Sequence, residues 1–250
     1  MLATWLTENE LKDIDLLPRV KGKVLNVKDL TPMFKKKTTE LDNCLGILTR
    51  VLDGDGYKKD SGVHGTRGYE GSEYKFGFIT ATTSLGGQVW KHMSALGPRF
   101  MSYSMPRIVK TEDEQLRMLR DSTSYEVNRS SCRDAVTSHT EAIWEKHGGF
   151  MGYTWPGNDS DEMLRSVIRL AELGTQLRAI PTRENHDGEI VPKTQEGVDR
   201  YKSTLLTLAR GNAIANGRDY LNEEDIRLIS HVVISTCSDE RSKIMRKLLS

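Results

Sequence analysis

The chain has 250 residues, 37% of them hydrophobic and 28% charged, a balance that excludes a disordered chain and supplies apolar surface for a core. Lys plus Arg (36) and Asp plus Glu (35) nearly cancel to +1, which excludes a protein that coats nucleic acid over its whole surface while allowing a local basic patch. Cys44, Cys132 and Cys237 are odd in number and far apart, so they read as reduced thiols rather than a disulfide framework or a zinc site.

The N-terminal MLATWLTENELKD lacks the basic-then-apolar order of a signal peptide, and no run approaches the ~18 apolar residues of a membrane span. A cytoplasmic setting without membrane contact is expected. Lys23 to Val27 (KVLNV) is a short apolar run that ends in Lys28-Asp29, as buried strands of a parallel sheet do. Thr39 to Leu52 places Leu41, Leu45, Leu48 and Leu52 at helical spacing. Asp53 to Glu73 holds Gly54, Gly56, Gly62, Gly65, Gly68 and Gly71, and reads as a twisted hairpin on a loop. Phe76 to Thr80 reads as a second buried strand and Phe100 to Met105 as a third.

Near Pro106 this strand-like sequence gives way to charged helical sequence. Helices are expected over Glu112 to Glu126, Asn128 to Lys146, Ser160 to Gln176 and Glu196 to Asn216, with a loop-rich stretch from Arg178 to Gly197. Asn222-Glu-Glu-Asp is a helix-capping signal with acids in the first turn. A last helix starts near Ser238-Asp239. The expected division is 1–108 and 109–250.

Three strand ends carry candidate chemistry. In an open parallel sheet ligands sit beyond the carboxyl ends of the strands, so Asp29 stands where a carboxylate reaches a metal held by nucleotide phosphates. Thr82 or Thr83, at the tip of a neighbouring strand, could orient a water near a terminal phosphate. Arg99 and Arg107 flank the third strand, and an arginine fork suits phosphate oxygens. Taken singly, each has a commoner role: turn residue, strand-closing hydroxyl, surface ion pair. The hairpin adds Lys58, Lys59, His64 and Arg67 to Tyr57 and Tyr69, and charge beside aromatic faces is what single-stranded nucleic acid binding uses. Lys35-Lys36-Lys37 is a solvated run that could extend this patch. DGDGYKKDSG opens like a calcium loop, but Tyr57 and Lys58 stand where a ligand and a Gly are needed.

The joint order of Asp-ending strand, helix, glycine-rich hairpin, Thr-ending strand and Gly-x-Arg-Phe resembles the second half of an AAA+ P-loop ATPase core. It is most similar to the branch related to minichromosome maintenance proteins and to replication ATPases of phages and mobile elements. The resemblance puts KVLNVKDLT at the Walker B place, Thr82-Thr83 at sensor 1, Lys58 to Tyr69 at the pre-sensor hairpin and Arg99 at the arginine finger. VDRYKSTLLTLARGNAIANGRDYLNEEDI is similar to the lid helices, with Arg200 at sensor 2. The likeness spans roughly residues 17 to 108 and 196 to 249, and residues 110 to 180 find no counterpart. It implies an α/β fold: part of a three-layer nucleotide-binding core within 1–108, then an all-helical lid with an insertion over 109–250. It implies a homo-oligomeric ring that hydrolyses ATP with Mg on Asp29, Arg200 on phosphate and Arg99 acting in trans, and that acts on DNA through Tyr57, Lys58, Lys59 and Arg67.

The sequence departs from that pattern. No GxxxxGK[ST] occurs, since Val24 follows Gly22-Lys23, and in this family that loop precedes the Walker B strand by several tens of residues. Without its amides and lysine, tight phosphate binding is not expected of this chain alone. Leu30 occupies the place where Walker B usually carries a glutamate. These departures favour an alternative, a non-hydrolysing AAA+-like module that binds nucleic acid or a protein. A third possibility, a helical DNA-binding protein, predicts a basic face over residues 196 to 250, where Glu223, Glu224, Asp225, Asp239 and Glu240 argue against it.

Overall fold

The computed structural model describes residues 13, 15–61, 65–83, 99–105, 109–120, 124–149, 153–179, 181–183, 190–192 and 197–249. The chain forms two units, residues 1–100 and 101–250, so the division falls between Phe100 and Met101.

In the first unit, helix α1 (Leu16–Val20) leads through Gly22 into strand β1 (Val24–Val27). A single-turn helix α2 (Thr31–Phe34) and a long helix α3 (Thr38–Asp53) follow. Leu41 and Leu45 on α3 are buried against Met33, Phe34 and Phe100, which makes a small core for this unit. Gly54 closes α3 in the left-handed conformation at φ 86°. Strands β2 (Tyr57–Ser61) and β3 (Gly65–Tyr69) then form the expected hairpin, with Tyr57 opposite Tyr69.

Two of the hairpin glycines are required by space. A Cβ on Gly56 would lie 2.0 Å from the Tyr69 carbonyl oxygen, and one on Gly68 would lie 2.2 Å from that of Tyr57. Backbones approach here more closely than any side chain permits. A 3-10 turn (Ser72–Tyr74) leads to β4 (Gly77–Thr80), which pairs parallel with β1, Val24 opposite Gly77 and Val27 opposite Thr80.

Both strands lie where the sequence reading puts them, but they are not buried on both faces. Val24 is 59% and Ile79 61% exposed, because the sheet has only two strands among the described residues and one of its faces lacks a covering layer there. The third strand expected over Phe100 to Met105 does not form. The backbone of Ser102 is instead held by a helix: its amide donates to Thr236 Oγ1 at 2.9 Å, and its carbonyl accepts from that hydroxyl at 3.3 Å.

The second unit is helical. Its elements are α4 (Glu112–Arg120), α5 (Ser124–His147), α6 (Asp161–Arg178), α7 (Val198–Ala215), α8 (Glu223–Ser235) and α9 (Asp239–Leu249). Between α6 and α7, within the stretch expected to be loop, β5 (Pro181–Arg183) and β6 (Ile190–Pro192) pair antiparallel. The core joins Val167 and Ala171 of α6, Tyr201, Leu205, Ala209 and Ala213 of α7, and Ile229 and Val233 of α8. The Tyr201 ring lies on Gly174, where an added Cβ would be 2.1 Å from Cε1, so α6 and α7 meet through a glycine. At the start of α8 the expected capping box is present, Asn222 accepting from the Glu224 and Asp225 amides. The buried Asp225 also accepts from Arg218, Asn212 and the Asn222 amide.

The result is a mixed α/β chain with a mainly helical second unit. The three-layer core remains an expectation.

Candidate functional site

Parallel pairing of β1 and β4 sets two chain segments side by side beyond their carboxyl ends. The pairing runs on past the strands, with the Ala81 amide donating to the Val27 carbonyl at 3.3 Å and the Leu30 amide to the Ala81 carbonyl at 2.9 Å. Asp29 and Leu30 from one segment therefore lie alongside Ala81, Thr82 and Thr83 from the other.

Asp29 folds back on its own chain. Its Oδ1 accepts the Thr31 amide at 2.8 Å, the turn an Asp favours two residues ahead of a helix start. Hydrogen bonds from the Thr31 hydroxyl and then the Thr31 amide hold the Asp29 carboxyl below the ordinary aspartate value, and the charge of Lys35 acts in the same direction. An exposed carboxylate, ionised at neutral pH, is the outcome.

The Thr31 hydroxyl also lies 3.3 Å from the hydroxyl of Thr82 and 3.3 Å from that of Thr83. Asp29, Thr82 and Thr83 thus come together, and Thr31 is what joins them. The sequence reading missed Thr31. The signal available was the spacing Asp-x-Thr-Pro, in which an Asp precedes a helix start by two residues and a Pro stands in its first turn. Such a group, one carboxylate beside a small cluster of hydroxyls, has the chemistry to hold a hydrated divalent cation and to donate to phosphate oxygens. Asp29 is the acidic member, and among the described residues no group of three or more His, Cys, Asp or Glu is placed to hold a metal ion.

Leu30 is turned inward at 9% exposure and supplies no acid to this edge. Arg99 is engaged within its own unit. Its Nε donates to both carboxylate oxygens of Asp53 at 2.9 Å and its Nη2 to Oδ2 at 2.6 Å, with both side chains about three-quarters covered. This pair ties the end of α3 to the chain ahead of Phe100. Arg200 is exposed in the first turn of α7, in the second unit, so the cluster described consists of first-unit residues. Arg107 lies outside the described residues.

On the hairpin, Lys58 is exposed and pairs with Glu70 at 3.5 Å. Tyr57 is half-buried. The Tyr69 hydroxyl donates to Asp15 at 2.8 Å and its ring lies 5.3 Å from that of Tyr74. Lys59 and Arg67 face each other in the ladder, but their side chains, and His64 altogether, lie outside the described residues.

Neither a protein-family model nor a curated protein matches the chain. The functional reading therefore stands on sequence order and geometry. Among the described residues no helix is long and apolar enough to cross a membrane.

Proposed function

We propose that this chain is part of an ATP-hydrolysing motor of the AAA+ type that acts on DNA, and that the ends of β1 and β4 form the metal-side edge of its nucleotide site. The observation that carries this reading is the parallel pairing of two strands whose tips bring Asp29 into one hydroxyl cluster with Thr82 and Thr83. Asp29 would hold Mg through its carboxylate, and Thr83 or Thr82 would donate to the terminal phosphate. The bound Mg·ATP supplies the phosphoryl group and the charge neutralisation. Arg200 would contact phosphate from the helical unit. A ring of copies would bring Arg99 to a neighbouring nucleotide, which requires it to leave Asp53.

The exposed Val24 and Ile79 support a partial core, since parallel strands are ordinarily covered on both faces. Two observations favour the alternative, a module that binds without turnover: the inward-turned Leu30 and the engagement of Arg99 by Asp53.

Titration of the purified chain with a fluorescent ATP analogue tests the site. Weak, Mg-dependent binding that Asp29→Ala abolishes is the expected result, with turnover near zero, because the chain carries no GxxxxGK[ST] loop to hold the phosphates tightly. Binding by Asp29→Ala equal to wild type, or a signal indifferent to Mg, would remove this edge from any nucleotide site. Turnover by the wild-type chain that Asp29→Ala abolishes would show that hydrolysis does not need the absent loop.

A further inference from the structure

Beside the Asp29 cluster lies a run of charge that the nucleotide reading does not use. Lys28, Lys35, Lys36 and Lys37 are all exposed, where β1 gives way to α2 and α3. Across residues 28–37 the sequence sets these lysines against one acid, Asp29. Lys28 stands just after β1, and Lys35 to Lys37 fill the short link between the single-turn α2 and α3.

Little intramolecular pairing consumes them. Among the described residues the ion pair they make is Lys36 with Glu40, at 4.0 Å and largely exposed. Elsewhere in the unit Lys21 is matched to Glu73 at 2.6 Å and Lys58 to Glu70 at 3.5 Å. Lys21 and Lys58 thus each have a carboxylate partner, whereas among the described residues Lys28, Lys35 and Lys37 form no ion pair.

The apolar side chains of the same segment point the other way. Met33 and Phe34 pack against Leu41 and Leu45, Leu30 is buried, and no large apolar side chain is exposed from Lys28 to Glu40. A membrane surface gains much of its hold from inserted apolar groups, and a peptide partner from buried anchors; this surface has neither to give. What remains is cationic contact with a polyanion whose charges recur along its length.

We propose that Lys28, Lys35, Lys36 and Lys37 form a contact surface for the phosphate backbone of nucleic acid, without sequence preference. The proposal shares the DNA-acting part of the reading above and is independent of its nucleotide site. It moves the main ionic contact from the hairpin to the α2 edge.

Fluorescence anisotropy of a labelled oligothymidylate and of a labelled duplex, each titrated with the full chain at several salt concentrations, tests it. Wild type is expected to bind with a strong salt dependence. The combined variant Lys35→Gln, Lys36→Gln, Lys37→Gln should bind the single strand about tenfold or more weakly at low salt. Its log–log salt slope should be shallower by about 2, since each single-strand phosphate contact contributes ~0.7. Arginine at the same positions should keep the binding, and Lys58→Gln should change it little. Circular dichroism of each variant verifies folding.

Failure of wild type to bind, an unchanged slope in the Gln variant, or loss confined to Lys58→Gln would overturn the proposal. So would tighter binding to phosphatidylserine vesicles than to either nucleic acid. No arm reads nucleotide hydrolysis, so the failure of this proposal and the failure of the ATP reading are seen separately.

Discussion

Thr31 shows how much of the candidate site rests on one hydroxyl. It supplies the largest influence holding the Asp29 carboxyl below its ordinary value, and it touches both Thr82 and Thr83. Thr31→Val should raise the carboxyl's titration midpoint toward the ordinary aspartate value, read by carbon NMR of the side chain, while Thr31→Ser should leave it low. Asp225 is the corresponding residue of the second unit, wholly buried and bonded to Arg218, Asn212 and the Asn222 amide. Removing a buried charge's partner leaves the other uncompensated, so Asp225→Ala should cost about 3–5 kcal/mol in denaturant unfolding. Asp29 as an acid just beyond a strand end could be named from the sequence; the meeting of Thr31 with Thr82 and Thr83 could not, because those partners lie about 50 residues along the chain.

At the scale of elements, the packing of α6 on α7 depends on Gly174. A methyl group there would sit 2.1 Å from the Tyr201 ring, and Tyr201 is fully buried, so relieving the clash means repacking the core around it. Gly174→Ala should therefore destabilise the chain by about 1–3 kcal/mol, measured by thermal or denaturant unfolding, although alanine is ordinarily the better helix former. A neutral or stabilising outcome would mean that α6 and α7 do not meet as described. The helices were legible in the sequence because their signals are local: leucines at helical spacing along α3, and the Asn222 box opening α8. The hairpin of β2 and β3 was legible for the same reason, through its glycines. The segment after Phe100 was not, because its backbone bonds go to Thr236, a residue far along the chain. The β5 and β6 pair escaped for another reason: strands this short leave no periodicity to count.

Across the molecule, acid should act on the helical unit through Asp225. Burial disfavours its charge, but Arg218, the Asn222 amide and Asn212 outweigh that and hold its folded value below the ordinary 3.8. A depressed folded value means that its contribution is complete above the unfolded value and is lost as pH falls through the folded one. Unfolding midpoints should therefore drop below about pH 4, and the drop should be smaller in Asp225→Ala.

The sequence by itself determined the main helices, the β2–β3 hairpin and the positions of β1 and β4, with an acid after one strand and two threonines after the other, because spacing and turn chemistry are written locally. Tertiary structure alone decided that Thr31 joins those strand ends, that Arg99 is taken by Asp53, and that Leu30 turns inward. Each of these depends on which distant surface a side chain meets after the chain has folded, and no local pattern encodes that meeting.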